Sequence, residues 1–154
     1  MPAKKIKELL KTKGEQTLIT AKPDDTVFVA VTRMVENNVG AILITVDGQI
    51  RGIMSERDYL RFITIQGRTA RDTPVSELMT RKVIYVTPDA DLNEVMAIMT
   101  RERIRHIPVL EGQTLLGMVS IGDVVKQISA NQSEQIDVLV AYINEGYPGP
   151  NRSA

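Results

Sequence analysis

Gly52-Ile53-Met54-Ser55-Glu56-Arg57-Asp58 returns 65 residues later as Gly117-Met118-Val119-Ser120-Ile121-Gly122-Asp123. Glycine, serine and aspartate keep their places. The same offset joins Ile19 to Ile84, Pro23 to Pro88, Asp24 to Asp89, Met34 to Met99, Ile42 to Ile107 and Ile63 to Ile128. Between these anchors apolar positions meet apolar ones: Val31 with Met96, Val39 with Ile104, Ile44 with Val109. Identities gathered at turn, glycine and core-like positions mark an internal duplication, about 17–64 and 82–129. A repeat that cannot close its own core stacks on its copy, so the expected unit is one pseudo-symmetric domain.

Working outward from the first copy, Ala41-Ile42-Leu43-Ile44-Thr45-Val46 is β-rich and apolar, and Asp47-Gly48 is a strong hairpin signal. The return strand runs over about 50–54, and Ser55 opens a helix with Tyr59, Leu60, Phe62 and Ile63 as its apolar residues. Upstream, Thr17-Leu18-Ile19 reads as an entry strand. Asp25 or Thr26 caps a helix whose residues Val27, Ala30, Val31, Met34 and Val35 share a face, and Asn37-Asn38 ends it. The second copy repeats the order. It has an entry strand at Val83-Ile84-Tyr85-Val86, a turn at Pro88–Asp91 and a helix face of Leu92, Val95, Met96 and Met99. Hairpin strands follow at 106–110 and 115–120, then a closing helix at 121–130. Its turn, Glu111-Gly112-Gln113, carries glycine one residue out of step with Asp47-Gly48-Gln49.

Outside the copies, Ile6, Leu9 and Leu10 define an amphipathic helix over 3–11, with Gly14 as its stop signal. Residues 66–81 are a polar linker with one helical turn at 75–79. Ser133 caps a final helix with Ile136, Leu139, Val140 and Ile143 on one face. The boundaries are therefore 1–16, 17–65, 66–81, 82–130 and 131–154. The expected class is α/β (α+β): two small mixed sheets, each flanked by helices, with extra terminal helices.

The 154 residues are enough for one domain with a sizeable core. A hydrophobic fraction of 43% and a charged fraction of 25% are those of an ordinary globular protein. Lys+Arg and Asp+Glu number 19 each, so a general basic footprint for nucleic acid or anionic membrane is missing. With no cysteine there is no disulfide, thiolate metal site or cysteine nucleophile. No apolar run reaches membrane-spanning length, and Met1–Ile6 lacks a signal-peptide apolar core, which points to the cytoplasm.

Ser-x-x-Asp after a strand and before a helix reads first as a capping box. The same arrangement also offers a ligand site. The carboxylate can accept bonds from both hydroxyls of a ribose, and the helix amides and serine hydroxyl can meet a phosphate. Arg103-Ile104-Arg105-His106-Ile107-Pro108-Val109 is the second constellation. Its cations either close a helix and start a strand, or form a rim for phosphate. Gly40 and Ala41 stand at the positions equivalent to Arg105 and His106, and Gly122 stands opposite Arg57, so two related sites are electrically unequal. His106 is the single histidine, and spacing suggests no catalytic triad or zinc site. Neither a catalytic nor a metal residue is assigned. Dinucleotide-type and Walker-type glycine loops are absent.

The duplicated strand–helix–strand–strand–helix unit, with Gly-h-h-Ser-x-x-Asp closing each hairpin, resembles the cystathionine β-synthase (CBS) domain. Two in tandem resemble a stand-alone Bateman module. Ser55-Glu56-Arg57-Asp58-Tyr59 and Arg105-His106-Ile107-Pro108-Val109 are closest to that family's patterns, and the resemblance covers about 17–130. It implies two clefts between the repeats for an adenosyl ligand: AMP first, with ADP, ATP, NAD and S-adenosylmethionine as alternatives. One cleft would use Ser55 and Asp58 with Tyr85, Ile104, Arg105, His106 and Ile107, and with phosphate contacts from Arg57, Lys82 and Arg103. The other would use Ser120 and Asp123 with Leu18, Ile19, Val39, Gly40, Ala41 and Ile42. The family also implies homodimers of modules, often through their helices, and an effector protein that reads the bound state.

The leading function is thus a non-catalytic regulatory module that signals by a conformational or assembly change. The alternative is an interaction scaffold with ligand-free clefts. A nucleotide-processing enzyme lacks any recognisable nucleophile or metal set, and the neutral charge argues against a nucleic-acid binder.

Overall fold

The computed structural model describes residues 5–14, 18–129, 140 and 143, with the side chains of Ile65 and Gln66 excepted. The elements are α1 (Ile6–Lys13), β1 (Thr20–Ala21), α2 (Val27–Glu36), β2 (Ala41–Val46), β3 (Gln49–Ser55), α3 (Glu56–Arg61), α4 (Leu92–Glu102), β4 (His106–Glu111), β5 (Thr114–Ser120) and α5 (Ile121–Ile128). A π-helical turn, Phe62–Gln66, continues α3, and 3-10 turns lie at Ala70–Asp72 and Val75–Glu77. They form two compact units. One is Thr17–Tyr85 with Gly112–Leu115; the other joins Met1–Gln16, Val86–Glu111 and Leu116–Ala154.

In the first unit the sheet order is β1-β2-β3, with β1 parallel and β3 antiparallel to β2. Ala41, Ile42, Leu43 and Ile44 of the central strand are all buried. That is why this strand reads as a continuous apolar run rather than an alternation. The register runs Ile44↔Gly52 and then Thr45↔Ile50, so Arg51 is the extra residue of a bulge. Thr26 caps α2 by accepting from the Val29 N–H at 3.2 Å. Asp25 instead takes the Lys22 N–H at 2.8 Å and Arg33 Nη1 at 3.1 Å. Val27, Ala30 and Met34 meet Ile42, Ile44, Met54, Phe62, Val75 and Met79 in the core. Val35, expected on that buried face, is 73% exposed. A face two turns long holds three buried residues here, and Val35 lies just past its edge.

The polar stretch 66–81 is sewn onto this unit. Val75 N donates to Asp25 O at 2.7 Å and Val27 N to Thr73 O at 2.8 Å. Thr80 and Ile53 exchange backbone bonds of 2.8 and 3.0 Å. Arg68 and Glu77 form a two-pronged ion pair at 3.0 Å, and Arg71 stacks 4.0 Å over the Phe28 ring. A polar composition therefore concealed an ordered border.

In the second unit, α1 docks by its first turn: Ile6 N donates to Ala90 O at 3.0 Å and Lys7 N to Pro88 O at 2.9 Å. Ile6 and Leu9 are buried, as are Leu92, Val95 and Met99 of α4. α1 and α4 both pack on α5. The helix runs on to Lys13, past the expected end at 11, and Gly14 (φ 75°) closes it.

Three strand expectations change. The entry strand of the first copy is Thr20–Ala21, so Leu18 and Ile19 precede it. In the second copy the strand shrinks to a single bridge, Val86↔Val109. Position 43 corresponds to 108, where Leu43 gives way to Pro108. Extending the ladder upstream of Val86 requires an N–H at 108, which proline lacks. The hairpin turns also stay in step: Asp47-Gly48 joins β2 to β3, and residues 112–113 join β4 to β5. Gly112 (φ 62°) simply takes the left-handed place of Asp47 (φ 51°). The final helix expected after Ser133 lies outside the described residues except for Val140 and Ile143, which are helical.

Candidate functional site

Each repeat makes one strand-to-helix corner. In the first, Ser55 Oγ accepts from Asp58 N at 3.3 Å. Asp58 Oδ2 accepts from Ser55 N at 2.8 Å and from the Ser55 hydroxyl at 3.0 Å. In the second, Ser120 Oγ accepts from Asp123 N at 3.1 Å, and Asp123 Oδ2 accepts from Ser120 N at 2.9 Å. The capping-box expectation thus holds in both copies. The box fixes each carboxylate's rotamer and leaves it half-exposed at the rim.

The segment before the first hairpin strand lies beside each corner. Glu56 N donates to Gly40 O at 3.0 Å, and Ala41 pairs with Ser55. Ile121 N donates to Arg105 O at 2.9 Å. Within the units, then, Gly40 and Ala41 accompany Ser55 and Asp58, whereas Arg105 and His106 accompany Ser120 and Asp123. Ile42 and Ile107 are fully buried, so their side chains serve the core and only their backbone remains for a ligand. Leu18, Ile19, Val39, Ile104 and His106 are half-buried; Arg57, Lys82, Arg103 and Arg105 are exposed, as is Tyr85. Among the described residues no three His, Asp or Glu side chains gather as a metal site. No helix there is long and apolar enough to cross a membrane.

Arg103 sits at φ 58°, ψ 43°, where Asn38 of the first copy has φ 52°. Both end their helix by the same 6→1 closure, Ile104 N to Met99 O and Val39 N to Met34 O, each 3.0 Å. A long side chain in the left-handed region is strained by about 1 kcal/mol. Arg103→Gly is therefore expected to raise stability by roughly 0.5 kcal/mol after the extra freedom of the unfolded chain is discounted. Urea unfolding measures this; a loss of stability would show that the guanidinium holds a contact outweighing the strain.

Sequence reasoning missed Lys13. Its Nζ lies 2.7 Å from Asp123 Oδ2 and 3.2 Å from Met118 O. It donates to the same oxygen that, in the first corner, takes the Ser55 hydroxyl. No spacing links positions so far apart, and Lys13 lay beyond the expected helix end. Burial is the largest single influence on the Asp123 carboxyl and pushes it up. The hydrogen bond from Lys13, the Ser120 N–H, the Lys13 charge and the Ser120 hydroxyl together outweigh it and hold the group below the ordinary carboxylate value. The folded pKa is depressed, so the unfolded chain takes up the proton first. The stabilisation is complete above the ordinary pKa of about 4 and fades as pH falls below it. The melting difference between the parent and Lys13→Met is accordingly expected to be largest near neutrality and to shrink below about pH 4. A difference independent of pH would contradict this assignment.

The family model for the CBS domain matches residues 6–65 and 75–130. Over 150 residues the chain is 42% identical to the CBS domain-containing protein CBSX3, mitochondrial, of Arabidopsis thaliana, covering 92% of this chain and 73% of that one. The solved structure of a candidate signal-transduction protein with CBS domains from Burkholderia ambifaria superposes with a TM-score of 0.81 at 42% identity, covering 84% of this chain and 97% of that one. The CBS domain pair of MJ0100, in complex with 5′-methylthioadenosine and S-adenosyl-L-methionine, superposes with a TM-score of 0.73 at 21% identity, covering 85% and 100%. At that identity it shows a shared fold.

Proposed function

This chain belongs to the CBS-domain family as a tandem pair, a regulatory module, and on that premise we propose that it binds adenosyl nucleotides at its Ser-x-x-Asp corners. The observation that carries the reading is the twofold occurrence of one geometry. A carboxylate is locked by its own cap, half-exposed, and set against the backbone preceding a buried strand. Asp58 and Asp123 accept the ribose hydroxyls. Backbone at Gly40–Ala41 and Arg105–His106 reads the adenine edge, and Arg57, Lys82, Arg103 and Arg105 attract phosphate. AMP is the preferred candidate, with ADP, ATP, NAD and S-adenosylmethionine as alternatives. That MJ0100 was crystallised with two adenosyl compounds supports the ligand class. The proposed compartment is the cytoplasm, where such nucleotides are abundant.

The proposed readout is assembly. Val35, Leu60 and Ile63 are 73%, 64% and 47% exposed, and Val35 and Leu60 line a groove of about 450 Å³ together with Val31, Val39 and Tyr59 among others. Apolar exposure on this scale suits a second copy of the chain, and an effector protein would sense the dimer's state. Isothermal calorimetry with AMP, ATP, NAD, S-adenosylmethionine and GTP tests the reading. Saturable heat from adenosyl ligands, lost on removal of the corner carboxylates, supports it. Absence of heat from all of them favours the scaffold.

A further inference from the structure

The two corners are not equally open. Asp58 Oδ2 is engaged only by its own cap residue, and no cation pairs with Asp58 among the described residues. Asp123 Oδ2 carries the cap and a lysine ammonium at once. Both Oδ2 atoms meet two donors, but at Asp58 both belong to Ser55, whose hydroxyl can turn away without moving the chain. At Asp123 the second donor is the Lys13 ammonium, a cation brought in from α1. A ribose diol needs both oxygens of the carboxylate, so at Asp123 it must displace Lys13.

Lys13 is held for this position rather than drifting into it. α1 is fixed at its start by the backbone bonds to Ala90 and Pro88 and by burial of Ile6 and Leu9. Its last turn therefore presents Lys13 at a set place, and Met118 O supplies a second acceptor. The ion pair is partly shielded, with side-chain exposures of 30% and 25%. Resting on the nucleotide-binding reading, we propose that Lys13 is a specificity-determining residue that competes with the ligand's cis-diol for Asp123. The Asp58 corner then fills first. The Asp123 corner fills only at higher ligand concentration and only with compounds carrying both the 2′- and 3′-hydroxyl groups.

The test titrates AMP into the full chain in an Asp58→Ala background, where only the Asp123 corner is read. Lys13→Met, which keeps length and removes charge, is expected to tighten AMP binding about fivefold, the equivalent of losing a competing pair worth about 1 kcal/mol. Lys13→Arg is expected to leave binding weak, and adding Asp123→Asn to Lys13→Met is expected to abolish the gain. Unchanged or weaker AMP binding in Lys13→Met, while the parent binds AMP, overturns the competition alone. No binding of AMP, ADP, ATP, NAD or S-adenosylmethionine by the parent or by any variant overturns the nucleotide reading and the competition with it.

Discussion

Asp58→Ala is expected to abolish most of the nucleotide-induced stabilisation of this protein. Among the described residues no ammonium pairs with Asp58, so on the proposed reading its corner is the one that fills at low ligand concentration. Removing it takes away both acceptors for the diol, a loss of about a hundredfold in affinity when two charge-assisted hydrogen bonds go. At a ligand concentration that shifts the parent's melting point by several degrees, the variant should move by roughly 1–2 °C. The substitution also breaks a capping box, which lowers ligand-free stability by about 1 kcal/mol. Asp58→Asn separates the two effects. An amide oxygen still accepts from Ser55 N and preserves the cap, while the charge that favours the diol is gone. A parental ligand shift in both variants would place the site elsewhere.

Gly52→Ala is expected to give a large stability effect. A Cβ at Gly52 would lie 2.6 Å from Met79 Sδ, 2.8 Å from Met79 Cγ and 3.0 Å from Thr80 O. Met79 can swing, but Thr80 O is fixed by the exchange of backbone bonds with Ile53. Overpacking of this kind destabilises by about 2 kcal/mol, which for a chain of this size lowers the melting point by roughly 4–8 °C. An unchanged melting point would mean that the 79–80 segment yields. The glycine that heads the motif is thus explained by packing, because the stretch after the first repeat is bridged to β3 at Ile53 and sets Met79 and Thr80 against Gly52.

Much of this was legible from residues alone. The offset joining Gly52-to-Asp58 with Gly117-to-Asp123 located both hairpins, both following helices and both capping boxes. These depend on local rules: apolar runs, turn residues and cap spacing. What escaped depends on partners distant in sequence. Val83-Ile84-Tyr85-Val86 has strand composition, yet the proline at 108 across the sheet leaves only the Val86 bridge. Val35 fits a helical face, yet it lies past the edge of the packed stripe of Val27, Ala30 and Met34 and is exposed. Residues 66–81 are polar, yet their backbone groups find Asp25, Val27 and Ile53. Lys13 carried no signal, because a single lysine in a lysine-rich helix looks like a solvated face until α1 is seen to dock.

The measurement that bears most directly on the central claim is thermal unfolding of the full chain, first freed of copurified nucleotide, against AMP, ADP, ATP, NAD, S-adenosylmethionine and GTP. A ligand at a hundred times its dissociation constant stabilises the fold by about 2.7 kcal/mol, a rise of roughly 5–10 °C for a chain of this size. Such a rise is expected with at least one adenosyl ligand and none with GTP. A flat response to every adenosyl compound, from protein shown to be folded, would contradict it.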